Sequence, residues 1–218
     1  MERLRRYIDL DEVARNGDIS HSKLSNILCT ATTFVTADGY VTYSLRSKRV
    51  SSQAQKYTSF VAENIQVKKD RPFQRPQPGE LPVPFRTVIR GIQEELSPSL
   101  ADFVRANPRR LMLLGMDFDL EGFQPDLLFM VAWPRSLAEL KDAIVGNPGP
   151  DFVEIGEMQA VPLQRAAVER LLGEGGWVPG GKASFIRAVE FVEAWRSRYP
   201  VEAFPELLEI IVADGEQT

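Results

Sequence analysis

Cysteine and histidine are nearly missing from this sequence: its 218 residues include one of each, Cys29 and His21. A single cysteine excludes an intramolecular disulfide. A single histidine leaves a zinc centre short of ligands and makes a Ser-His-Asp triad depend on one residue in a polar stretch. Ile27 and Leu28 precede Cys29, which predicts a buried thiol rather than a reactive one. Long apolar runs are absent too. None approaches the roughly 20 residues that cross a bilayer, and the opening MERLRRYIDLDEVARNGD holds no apolar stretch of signal-peptide length. The expectation is a cytoplasmic protein with no membrane partner. Net charge is also modest, at −4 from 26 basic and 30 acidic side chains. No nucleic acid partner is expected from it, and any polyanion must be met by a local cluster.

What is present is an ordinary apolar content of 44%, enough for one well-packed domain. Leu4, Ile8, Leu10 and Val13 recur at loosely helical spacing and predict an N-terminal helical segment over 1–26. The run NILCTATTFVTADGYVTYSLRSKRV is β-branched and aromatic on both sides of Ala37-Asp38-Gly39, which predicts a β-hairpin. A further strand is expected over Tyr57–Val67. Prolines at 72, 76, 78, 82 and 84 then deny backbone donors and impose a stiff loop. From Val83 or Pro84 onward, Phe85, Val88, Ile89, Ile92 and Leu96 give an amphipathic helix ending at Ser97-Pro98. The rest reads as a helix over Ser99–Ala106, strands in RLMLLGMDFDL and PDLLFMVAWP, a helix over Ser136–Val145, and a last strand in DFVEIGEMQAVPL. Two helices, Leu163–Leu172 and Lys182–Arg198, follow, with a short apolar tail from Phe204 to Val212. The fold class is therefore α/β in the α+β sense: a mixed sheet between helices, with a C-terminal helical extension over 173–218 packed on the same domain.

On the helix after the proline loop, positions 91, 94 and 95 share one flank beside the apolar stripe. Glu94 and Glu95 thus stand at the edge of the core near a rigid loop, where two carboxylates could hold Mg²⁺ while Arg90 orients one of them or meets a phosphate. An ordinary amphipathic helix with a solvent-facing Arg90–Glu94 pair is the plainer account of the six-residue motif alone.

The run Arg90-Gly91-Ile92-Gln93-Glu94-Glu95-Leu96-Ser97, preceded by Pro78-Gly79-Glu80, resembles the Nudix hydrolase signature. That signature is Gly, five residues, Glu, seven residues, then Arg-Glu-apolar-x-Glu-Glu-x-Gly-apolar. The order of elements over residues 27–172 is similar as well, so this stretch reads as a Nudix-like domain. The resemblance implies hydrolysis of a nucleoside diphosphate linked to another group, with Mg²⁺ or Mn²⁺ and a small-molecule diphosphate or nucleotide ligand. By the same resemblance, Arg90, Glu94 and Glu95 are the catalytic residues and Glu94 and Glu95 hold metal. The sequence departs from the signature at Gly91, where a metal-binding glutamate is expected, at Ser97 in place of the closing glycine, and at Gln74 in place of the leading glycine. Glu80 also lies two residues farther from Arg90 than expected. Glu63 and Glu80 are the candidates to supply the missing carboxylate, Glu63 before Glu80. Arg71, Arg75 and Arg86, with Lys68 and Lys69, border the same loop and are candidate phosphate ligands, although a solvated loop accounts for them too. The alternative implied by Gly91 is a catalytically inactive Nudix-like module that binds a nucleotide-type ligand or a protein partner. A homodimer is compatible with the sequence and not required by it.

Other signals have plainer explanations. Gly176-Trp177-Val178-Pro179-Gly180-Gly181-Lys182 has the spacing of a phosphate-binding loop, but Ala183 occupies the Ser/Thr position and the preceding RAAVERLLGEGG reads as helix. A helix stop followed by a new helix is the expectation. Asp117, Asp119, Glu121 and Asp126 read as the wet face of an edge strand. Glu154 and Glu157 read as solvent-facing, and Trp133, Trp177 and Trp195 as core or interface aromatics.

Overall fold

In the computed structural model of the chain, residues 28–48, 53–70, 81–119, 124–152 and 157–198 are described. The readings that fall on the N-terminal segment, His21, Arg71, Arg75, Glu80, Glu154 and the tail after residue 198 lie outside them.

The centre of the sheet is β1 (Cys29–Thr36), whose every residue is buried. It turns at Asp38-Gly39, with Gly39 at φ 81, into β2 (Tyr40–Leu45). The strand expected over Tyr57–Val67 is instead two, β3 (Tyr57–Thr58) and β4 (Val61–Asn64). Registers give the reason. β3 pairs with Ser44 and Leu45 of β2, whereas β4 runs antiparallel to Cys29–Thr32 of β1. The hairpin pairs only at Val35–Val41 and opens below that point, so one stretch of chain must switch partners. Ser59 and Phe60 make the switch, the Ser59 hydroxyl donating to the Val61 carbonyl at 3.0 Å, while Phe60 meets Phe34 edge-on.

After the short helix α1 (Val67–Asp70) comes α2 (Val83–Gly91), begun by Pro82 and Pro84 where helical N–H donors are not needed. The expected helix to Leu96 changes form at its end: Ile92–Leu96 is a π-turn, with Ser97 N–H donating to the Ile92 carbonyl at 2.8 Å. Then follow α3 (Pro98–Ala106), a 3₁₀ turn at Pro108–Arg110, β5 (Leu111–Asp119), β6 (Gln124–Trp133) and α4 (Leu137–Gly146). A capping box of Ser136 and Glu139 starts α4, and the Asp38 carboxylate of the hairpin turn accepts from Leu137 N–H at 3.0 Å. The last strand, β7 (Glu157–Pro162), falls within the segment expected for it and pairs along all of β2. Two helices close the described chain, α5 (Arg165–Gly173) and α6 (Pro179–Arg198), the second starting three residues before the expected Lys182 because proline suits a helix start.

The result is a seven-stranded mixed sheet with the path β3-β2-β1-β6-β5, β1 and β6 being parallel, and helices on both faces. Alternation along the strands sorts the core into two. Phe34, Phe129, Val131 and Trp133 join Val88, Ile89, Ile92, Leu96 and Leu100 on the α2–α3 face. Val35, Val41, Tyr43 and Met130 join Trp177, Phe185, Val189 and Val192 on the α6 face. Burying such side chains on two sides contributes about 1.5–3 kcal/mol each and holds the sheet end where α2 meets β4.

Candidate functional site

Arg90, in the last turn of α2, is mostly buried at the start of β1 and the end of β4 and is the hub of the site. Its Nε donates to Asp70 Oδ1 at 2.8 Å and its Nη2 to Asp70 Oδ2 at 3.1 Å, a two-pronged pairing that a planar fork makes well. Nη2 also donates to the Asn64 carbonyl at 2.8 Å. Nη1 lies 2.9 Å from Glu63 Oε2 and 3.1 Å from Glu94 Oε2. Lys69 reaches the other oxygen of Glu94 at 3.2 Å. Three carboxylates from β4, α1 and the π-turn thus converge on one guanidinium.

The electrostatics follow from these contacts. Burial works against the charge on Arg90, but the hydrogen bonds of Asp70 and the charges of Glu63, Asp70 and Glu94 outweigh it and hold the guanidinium ionised. Burial pushes the Asp70 carboxyl up. Hydrogen bonds from Arg90, from the Gln66 N–H at 2.7 Å and from Thr87, with the charge of Arg90, bring it below the ordinary carboxylate range. Cys29 is buried as expected, and its thiol is pushed up to about 12 by burial and then by Asp126 and Glu63. Burial thus disfavours its thiolate.

Gly91 explains why the helix can lie so close. A Cβ there would sit 2.8 Å from Val61 Cγ1 and 3.1 Å from Glu63 Cβ. The volume that a side chain at 91 would enter is already filled by Glu63 of the neighbouring strand. A second close approach fixes the π-turn. Gly149 N–H donates to the Leu96 carbonyl at 2.9 Å and Asp151 N–H to the Glu94 carbonyl at 2.8 Å, and a Cβ at 149 would lie 2.3 Å from the Glu94 oxygen. The loop after α4 therefore satisfies carbonyls that the π-turn leaves open.

The sequence expectations fare unevenly here. Glu63, Arg90 and Glu94 do come together. Glu95 is half-buried on the same turn. Lys69, one of the candidate phosphate ligands, is on Glu94, and Arg86 is half-buried in α2. Asp70 was missed; its signal was a lone acid ending a basic run. Among the described residues no group of three His, Cys, Asp or Glu side chains is disposed to hold a metal ion; the carboxylates of Glu63, Asp70 and Glu94 face Arg90.

Two further expectations are settled outside this site. The glycine-rich GWVPGGK stretch is a packing device: a Cβ at Gly181 would lie 2.6 Å from Ser59 N and Thr58 Cα, and one at Gly180 would lie 1.9 Å from Asp126 Oδ2. Asp126, expected on a wet face, is buried at 5% exposure because the first turn of α6 lies on it. Trp133 and Trp177 are core residues as expected, and Glu157 is exposed.

No family model matches the chain, and no curated protein matches it in sequence. Solved structures of Nudix proteins are similar in fold. The NUDIX domain of Shewanella oneidensis NrtR, complexed with ADP ribose, aligns with TM-score 0.49 at 11% identity over 85% of this chain and 99% of that one. A NUDIX hydrolase from Alicyclobacillus acidocaldarius aligns with TM-score 0.49 at 13% identity over 75% of this chain and 90% of that one. A bifunctional NMN adenylyltransferase/ADP ribose pyrophosphatase from Francisella tularensis, complexed with AMP and a Mn ion, aligns with TM-score 0.45 at 8% identity, over 88% of this chain and 47% of that one. No described helix is long and apolar enough to cross a membrane.

Proposed function

We propose that this chain is a Nudix-type module that binds a nucleotide-type diphosphate ligand beside α2 without using a divalent metal. The observation that carries the reading is the guanidinium of Arg90 among Glu63, Asp70 and Glu94. A permanently charged cation of the chain's own neutralises these three carboxylates. The ligand class comes from the resemblance of Arg90–Ser97 to the signature. Arg71, Arg75 and Arg86, which border the proline-rich loop in sequence, are proposed to meet its phosphates.

A second reading is favoured by one specific observation, the filling of the side-chain space at Gly91 by Glu63. In it the chain is a metal-dependent hydrolase of a nucleoside diphosphate derivative, with Glu63 and Glu80 joining Glu94 and Glu95. That reading requires Arg90 to release Glu63 and Glu94.

One experiment separates them. The full chain is incubated with a panel of nucleoside diphosphate derivatives that includes ADP-ribose, with Mg²⁺, with Mn²⁺ and with EDTA, while turnover and melting temperature are both followed. The module reading expects a ligand-induced rise in melting temperature that EDTA leaves unchanged, and no turnover. Turnover that needs the metal and disappears in Glu94→Gln sinks the module reading and supports the second. No shift and no turnover across the panel removes both.

A further inference from the structure

The sheet has one long open edge. β5 pairs with β6 on one side, and among the described residues no strand pairs with its other side. Open edges invite another strand unless they are short, charged along their length or covered. β5 is nine residues long and carries Leu113 at 49% exposure and Met116 at 67%, two of the three large apolar side chains that are exposed among the described residues.

Charge is distributed along this edge with a direction. Arg109 and Arg110 stand at its start, Asp117 and Asp119 at its end, and the middle is apolar. Neither Arg110 nor Asp117 has a salt-bridge partner among the described residues. Met112 and Leu114 pack on the α6 core, and Arg110 is the last residue of the 3₁₀ turn that leads into the strand. Asp117 stands opposite Asp126 in the ladder, and Asp126 touches the first turn of α6. On the other face, Leu111 belongs to the α2–α3 core, and Met116 is opposite Leu127, which packs on that core.

We infer that the free edge of β5 is a self-association surface, on which a second copy of this chain pairs antiparallel about a two-fold axis through the middle of the strand. An antiparallel mate reverses the charge order, so the basic start of one strand meets the acidic end of the other. Arg110 meets Asp117 of the partner subunit, and Leu113 and Met116 are covered on the α2–α3 face. Parallel pairing would set arginine on arginine and aspartate on aspartate, which disfavours it. The two-fold closes the interface, giving a dimer and not a filament. A register shift between Leu113 and Gly115 breaks the strand near the axis. The ladder therefore consists of two short runs, and the dimer is reversible.

The test is the mass of the full chain in solution, by sedimentation equilibrium over a concentration series, for wild type, Asp117→Arg, Arg110→Asp, Met116→Lys and the double exchange R110D/D117R. A concentration-dependent dimer is expected in the wild type. Each single variant should weaken it at least about tenfold by placing like charges or a buried lysine at the contact, and the double exchange, which rebuilds the pair with its signs reversed, should restore it. Circular dichroism verifies that each variant is folded, and three independent single variants keep the test decisive if one is not. A wild type that stays monomeric throughout, a dimer that no single variant weakens, a double exchange that fails to recover, or open-ended larger species would each overturn the inference.

Discussion

Two buried aspartates near the same end of the sheet make opposite use of burial. Asp70 and Asp126 are 3% and 5% exposed, so water solvates neither well. Asp70 receives both prongs of Arg90 and the Gln66 N–H, and its carboxyl is held below the ordinary range although burial alone would raise it. Asp126 accepts one side-chain hydrogen bond, from Gln124 Nε2 at 2.9 Å. Burial pushes its carboxyl up, the Gln124 hydrogen bond lowers it, and the charges of Asp117 and Asp119 push it further up. Burial makes a carboxylate costly; the partners decide whether the cost is met. Asp70 is a structural anchor of the candidate site, whereas Asp126 is a buried carboxyl with one side-chain hydrogen bond.

The largest effect should come from breaking the anchor. Asp70→Asn leaves Arg90 short of its best partner in a mostly buried place, and removing one member of a buried pair costs about 3 kcal/mol or more. For a chain of this size that lowers the melting temperature by roughly 10 °C. A calorimetric loss under about 1 kcal/mol would mean that the contrast between the two aspartates is not one of stability.

Next in size is the close packing that buries Asp126. Gly181→Ala puts a methyl group 2.6 Å from backbone atoms of Thr58 and Ser59, which a rotamer change cannot relieve, so about 2 kcal/mol is expected by denaturant unfolding. Gly180→Ala meets the Asp126 carboxylate, a side chain that can turn away, and should cost less. If the ranking is reversed, the position of Asp126 is more rigid than its hydrogen bonding suggests.

The pH dependence sharpens the comparison further. A carboxyl whose folded pKa is raised penalises the fold above that pKa, and the penalty fades as pH falls through it. Asp126→Asn should therefore stabilise the chain at neutral pH, by about 1 kcal/mol, with the advantage shrinking as the solution is acidified. Asp70 behaves oppositely. Its folded pKa is lowered, so its contribution is complete above the unfolded value of about 3.9 and is lost as pH falls below that. Stability curves of the two variants against wild type should converge in sequence on acidification, Asp126→Asn first and Asp70→Asn after it.

Much of this was legible in the sequence, and the failures have physical causes. Most strands and helices were readable from apolar spacing and turn residues. The stretch Tyr57–Val67 failed because it pairs first with β2 and then with β1, a change of neighbour that leaves no trace in hydrophobic periodicity. In the candidate site, Glu63, Arg90 and Glu94 were readable from the motif and from the place of Glu63 at the strand's end. Asp70 was not, since it stands twenty positions before Arg90 and no helix or strand spacing links the two. Composition could not tell the two glycine-bearing stretches apart either. Gly91 and Gly181 both stand beside charged residues, and only the atoms a Cβ would meet separate a glycine that makes room for Glu63 from one that seats a helix on backbone.

The smallest effect belongs to the exposed rim of the same network. Lys69 is half-exposed and pairs with Glu94, itself a quarter exposed, at 3.2 Å. Solvent screens such a pair and two long side chains must be held still to make it, so Lys69→Met should change stability by no more than about 0.5 kcal/mol. The pair should also fade in concentrated salt, where the Arg90–Asp70 pairing, shielded from ions, does not. If Lys69→Met instead destabilised the chain as much as Asp70→Asn, the ion network would be one cooperative unit from its buried end to its surface. Unfolding Lys69→Met, Asp70→Asn and the double variant as a cycle measures this directly, since independent ends give additive losses and a single unit does not.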